Sequence, residues 1–66
     1  MRDFQLIVAD DRRVVPGLLI VCARDEARAR EIAERVLGES RHHQGIEVLE
    51  HGRPLFSIAR ADQLAA

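Results

Sequence analysis

The side chains that could do chemistry in this 66-residue sequence are few: three histidines, one cysteine, two serines, and scattered arginines and carboxylates. Imidazole binds zinc and titrates near neutrality, so His42, His43 and His51 are the first candidates for a metal site or a general base. Their spacing is poor for zinc. Adjacent His42 and His43 rarely aim at one ion, and no carboxylate or thiol stands at a recognised ligand interval. Cys22 ends an apolar run just before a helix, and a helix amino terminus can lower a thiol pKa. With neither His nor Asn near it in sequence, Cys22 is expected to be a small buried hydrophobe. Ser40 and Ser57 have no nucleophile-elbow motif around them. Gly17, Gly38, Gly45 and Gly52 stand singly, so no glycine-rich phosphate loop exists and no cofactor is expected. Arg12, Arg13 and Arg53 would make an anion patch if the two turns that carry them met at one end of a sheet. Otherwise Asp10, Asp11, Arg12 and Arg13 form a solvated turn, with Asp side chains accepting backbone hydrogens.

The elements that must position these groups are legible from hydrophobic period. Residues 3–9 alternate Phe4, Leu6 and Val8 against Gln5, Ile7 and Ala9, as a first strand does. Residues 14–23 are apolar almost throughout and predict a second strand, with a bulge or edge position at Pro16-Gly17. Over residues 25–37 the period becomes helical: Ala29, Ile32, Ala33, Val36 and Leu37 form one stripe. Asp25 and Glu26 suit the first turn, and Gly38 is placed to be a left-handed cap. Glu26 with Arg30, Arg30 with Glu34, and Glu31 with Arg35 stand four apart, as ion pairs on a solvated face do. Residues 39–45 predict a polar connection, Ile46 and Val48 a third strand, and Phe56 and Ile58 a fourth. A three-residue loop, Glu50-His51-Gly52, keeps those four apolar residues on one face, whereas a two-residue His51-Gly52 turn would split them.

The predicted fold is α+β, of ββαββ layout: a four-stranded, mostly antiparallel sheet with one helix on one face, over residues 1–60, and a short tail at 61–66. One helix covers only one face. The other is expected to expose Leu19, Val21, Leu49 and Leu55 or their register-shifted neighbours, more apolar surface than monomers usually show. A chain this short buries only ~60% of the surface it would expose unfolded, which adds to the case for a second copy. Burying ~400 Å² of that face per subunit, at ~25 cal/mol per Å², offers ~10 kcal/mol before association costs. The expected partners are therefore a second copy of the chain and another protein.

Composition narrows the alternatives. The net charge is −1, and Trp, Tyr, Lys, Thr and Asn are absent, so neither global charge nor base-stacking platforms favour nucleic acid. The first eight residues lack the apolar core and cleavage site of a signal peptide, and no apolar run approaches the ~20 residues of a membrane span. A lone cysteine suits a reducing compartment, so the expected location is the cytoplasm, away from membranes.

The helix start Asp25-Glu26-Ala27-Arg28-Ala29-Arg30 and the hairpin Gly45-Ile46-Glu47-Val48-Leu49-Glu50 followed by Gly52-Arg53 resemble small bacterial ββαββ proteins of the domain-of-unknown-function type. That resemblance spans nearly the whole chain and implies the fold without an activity. Val15-Pro16-Gly17, with two strands leading into a helix, resembles the HicB-type antitoxin domain and implies a partner-binding role. The acidic and cysteine neighbours usual in that family, and its appended DNA-binding helix pair, are missing. The ending Gln63-Leu64-Ala65-Ala66 resembles the bacterial tag that directs stalled translation products to proteolysis. Together these readings favour a non-enzymatic interaction module over an anion-binding domain, and either over an enzyme.

Overall fold

Alternation from Phe4 to Val8 is realised as β1 (Arg2–Asp10), with Phe4, Leu6 and Val8 all buried on one side. The computed structural model describes residues 1–60; the predicted tail at 61–66, with Leu64-Ala65-Ala66, lies outside the described residues. The chain continues through β2 (Gly17–Ala23), α1 (Glu26–Gly38), β3 (His43–Glu50) and β4 (Arg53–Ala59). The strands form one sheet in the order β2-β1-β3-β4, and every pairing is antiparallel. This is the ββαββ α+β architecture. Because β2 and β3 both run antiparallel to β1, they are parallel to each other, and α1 is the crossover between them. Parallel strands need such a long connection, here one that passes over β1, and the helix crosses the sheet in making it.

Register assigns each residue to a face. Val21 pairs with Phe4, and Leu19 with Leu6, which pairs in turn with Val48, itself opposite Phe56. In the next row Gly17, Val8, Ile46 and Ile58 stand side by side. Directly opposed residues share a face, so all of these lie on the side covered by α1. Ala29, Ala33 and Val36 of α1 close the core over Phe4, Leu6, Val8, Ala23, Ile46 and Val48. Ala29 and Ala33 are small enough to let the helix sit close to the sheet.

The third turn departs from expectation in an informative way. Glu50 pairs directly with Arg53, leaving a two-residue loop in which His51 (φ 54°) and Gly52 (φ 76°) both adopt positive φ. That is the turn whose twist matches the flanking strands. Leu49 then faces Pro54 while Val48 faces Phe56, so Leu55 is an extra, bulged residue. The bulge restores the face that the turn alone would have inverted, and Ile46, Val48, Phe56 and Ile58 share it after all. Gly45, opposite Ala59, is a position of close approach: a Cβ there would lie 3.1 Å from the Ile58 carbonyl oxygen.

Other boundaries shift for physical reasons. The ladder between β1 and β2 begins at Gly17 without a bulge, so Pro16 ends the connection and Val14 and Val15 lie outside the strand. Strand β3 starts at His43, inside the polar stretch 39–45 expected to be a connection, because its backbone pairs with Asp10 of β1. At the start of α1, Asp25 is the N-cap, its carboxylate accepting from the Arg28 N–H at 2.9 Å. Gly38 is the last helical residue and has no positive φ; the helix ends instead at Glu39, whose N–H donates to the Val36 carbonyl. Arg60 completes that end, donating from one guanidinium nitrogen to the carbonyls of Leu37, Ser40 and His43. On the helix surface Arg28 and Glu31 approach to 3.6 Å; the expected pairs four apart do not close among the described residues, and Arg30 lies over the Phe56 ring at 4.3 Å.

Candidate interaction surface

The structure separates the candidate chemical groups. His43 begins β3 and His51 sits in the turn just beyond its other end, so the strand alone keeps them ~20 Å or more apart. His42 and His43, though adjacent, have different partners. The His42 Nδ1 donates to the Asp11 carboxylate at 2.8 Å, and the His43 Nδ1 donates to the Val36 carbonyl at 2.7 Å. Among the described residues no three His, Cys, Asp or Glu side chains converge as a metal site would require.

The arginine patch does not assemble either. The connection carrying Arg12 and Arg13 follows the Asp10 end of β1, while Arg53 lies beside Glu50, near the Arg2 end of the neighbouring ladder. Arg12 is moreover folded back on Asp10, with Nε and Nη2 donating to its two carboxylate oxygens at 3.1 and 2.8 Å. The backbone N–H of Arg12 donates to the same carboxylate at 2.8 Å. These bonds from Arg12 hold the Asp10 pKa well below the ordinary carboxylate range. At the opposite end Arg2 binds Glu50 with two parallel bonds of 2.8 and 2.7 Å, which lowers the Glu50 pKa. Both pairs fasten turns and strand ends.

Cys22 is exposed, contrary to the expected burial, and lies on the sheet face away from α1. Its thiol donates to the Asp3 carboxylate at 3.1 Å, and that bond, with the carboxylate's charge, raises the thiol pKa. A thiol so held is a poor nucleophile.

What the fold does gather is apolar surface along β2. Leu18 and Ile20 are each 60% exposed and Leu19 is 42% exposed, and Val14 and Val15, just before the strand, are exposed too. The expected placement of Leu19, Val21, Leu49 and Leu55 together on the uncovered face requires correction. Leu19 and Val21 lie on the helix side, and Leu55, displaced by the bulge, packs against the core. Leu49 alone lies on the far face, in a row with Gln5 and Ile20. The register-shifted neighbours Leu18, Ile20 and Cys22 take the far-face places on β2. Strand β2 is apolar on both faces, so only the register with β1 could have decided between the two sets.

The far face is not uniformly apolar. Leu18 stands in a row with Ile7, Glu47 and Ser57, and Cys22 beside Asp3. The charged residues of this face, Asp3 and Glu47, stand on the two central strands, and the edge strand β2 contributes only Leu18, Ile20 and Cys22 to it. On the helix side the same edge borders a groove of about 470 Å³ between β2 and the end of α1, lined by Leu19, Val36, Asp10, Arg13 and His43 among others. Among the described residues no helix is long and apolar enough to cross a membrane. No protein-family model, curated protein or solved structure matches the chain.

Proposed function

We propose that this chain is a non-enzymatic interaction module that works as a homodimer assembled through its sheet and presents the result to another protein. The observation that carries the reading is the exposure of Leu18, Leu19 and Ile20 on a strand with no charged residue. Isolated exposed leucines are ordinary, but three consecutive exposed apolar residues leave an edge strand apolar on both of its faces, which suits a protein contact along that edge. A partner-binding role is also what the antitoxin resemblance implies. An exposed thiol without a disulfide partner among the described residues suits a reducing, cytoplasmic setting. Sedimentation equilibrium from low to high micromolar concentration tests the proposal. A monomer–dimer equilibrium is expected, and a monomer throughout would overturn it.

A second reading, anion binding, draws on the groove beside β2, because Arg13 and His43 line it together. With the His43 Nδ1 proton committed to the Val36 carbonyl, Nε2 of the neutral ring is an acceptor, so Arg13 is the donor this reading depends on, in a groove that Asp10 and Glu39 also line. A thermal-shift screen with inorganic phosphate and acetate separates the two readings: ligand-dependent stabilisation supports the groove, and its absence removes it.

A further inference from the structure

The two edges of the sheet are built differently, and the difference points to where a partner adds. Strand β4 carries the devices that stop edge pairing: Arg53 and Pro54 at its start and a bulge at Leu55. Strand β2, the other edge, has none of them within its span, although Pro16 and Arg24 flank it. Its seven residues contain no charge, no proline and no bulge, and its ladder to β1 is regular from Gly17 to Ala23. An edge of this kind is a template for another strand.

We infer that β2 pairs antiparallel with β2 of a second copy about a two-fold axis at Ile20, making one continuous eight-stranded sheet. The inference rests on the homodimer reading and specifies its geometry. Centring on Ile20 is the register that uses all seven residues: Leu19 faces the partner subunit's Val21, Leu18 faces the partner subunit's Cys22, and Gly17 faces the partner subunit's Ala23. Every opposed pair is apolar, so no like charges meet across the axis. Both faces gain, because Leu18, Ile20 and Cys22 meet on the far side while Leu19 and Val21 meet on the helix side. Packing the two far faces together would instead bury Asp3, Gln5 and Glu47 against one another. The contact area also agrees with a dimer. A strip about 23 Å long, from seven residues at ~3.3 Å each, and about two side chains high covers roughly 400–500 Å² per subunit. That is about a tenth of the 4601 Å² surface, the share that small proteins commonly commit to a specific contact, at the weak, concentration-dependent end of the range.

Disulfide trapping under mild oxidation tests the register. With a two-fold at Ile20, Ile20→Cys in a Cys22→Ser background places two thiols across one antiparallel pair, within disulfide reach. Leu18→Cys with Cys22 retained places each new thiol opposite the partner subunit's Cys22. Both variants are expected to run mostly as covalent dimer on non-reducing gels. Leu18→Cys in the Cys22→Ser background, and the unaltered chain, are expected to stay monomeric there, since their like thiols are separated by four residues, about 13 Å. Circular dichroism confirms that each variant is folded before oxidation. If sedimentation shows a dimer but neither expected variant cross-links, the edge register is overturned while the homodimer reading stands. If sedimentation shows only monomer and no variant cross-links, both fall. Capture of a different strand-donating protein at β2, without self-association, would likewise overturn the second copy as occupant.

Discussion

Val48→Ala and Ile20→Ala differ in cost because of the face each residue occupies, although both positions are β-branched and in strands. Val48 is fully buried, between Leu6 on β1 and Phe56 on β4. Truncation removes two carbons at ~0.8 kcal/mol each and leaves a cavity that adds ~1 kcal/mol, so the loss is ~2.5 kcal/mol. For a domain of this size each kcal/mol is worth ~4–8 °C in Tm, which puts the drop at ~10–20 °C. A single small core rarely supplies more than ~3–5 kcal/mol, so this variant is near the limit of folding. Ile20 is 60% exposed, and removing three carbons at two-fifths burial costs ~1 kcal/mol in dilute solution. Urea titration at low micromolar protein measures both, with a lower midpoint and an unchanged m-value for Val48→Ala. Equal losses for the two variants, or a larger one for Ile20→Ala at low concentration, would refute the assignment of faces.

Three further outcomes follow from the same geometry. Asp25→Ala leaves the Arg28 N–H without its cap and is expected to cost ~1 kcal/mol, recovered in large part by Asp25→Ser, as urea midpoints would record. Asp10 and Glu50 have folded pKa values below their unfolded ones, so their contribution is in force above about pH 4 and is withdrawn as pH falls through the folded values. Stability is therefore expected to decline in acid, and Arg2→Ala to return the Glu50 titration to the ordinary carboxylate range, followed by NMR. Because Asp3 raises the Cys22 pKa, alkylation at pH 8 is expected to be slower in the folded chain than in urea and to quicken in Asp3→Asn.

The helix was legible because its two signals, a 3.6-residue apolar stripe and an acidic start, are local. So was β1, whose alternation survives intact in the fold. Strand β2 gave no such purchase: with Leu18 to Ala23 apolar on both sides, face assignment depends on the ladder with β1, a non-local fact, and Leu19 and Val21 were placed on the wrong side. The fourth strand keeps its expected face, and only the turn before it differs, for another reason. Parity alone demanded an odd-length loop, but the chain satisfies parity with a bulge at Leu55, and so keeps the His51-Gly52 turn that local chemistry favours. Residue type alone makes the histidines and arginines candidates, and only topology shows that His51 and Arg53 lie at the opposite end of the sheet from His42, His43, Arg12 and Arg13. The asymmetry between edges was present in the sequence as Arg53-Pro54 against an uncharged β2, but its meaning required the strand order.

Backbone amide hydrogen exchange, followed residue by residue at increasing protein concentration, tests the central claim most directly. Alternate amides within Gly17–Ala23, those directed away from β1, are expected to become protected as concentration rises, while the outward amides of β4 are not. Outer-edge amides of β2 that stay unprotected at every concentration, or protection that develops on β4 instead, would contradict it.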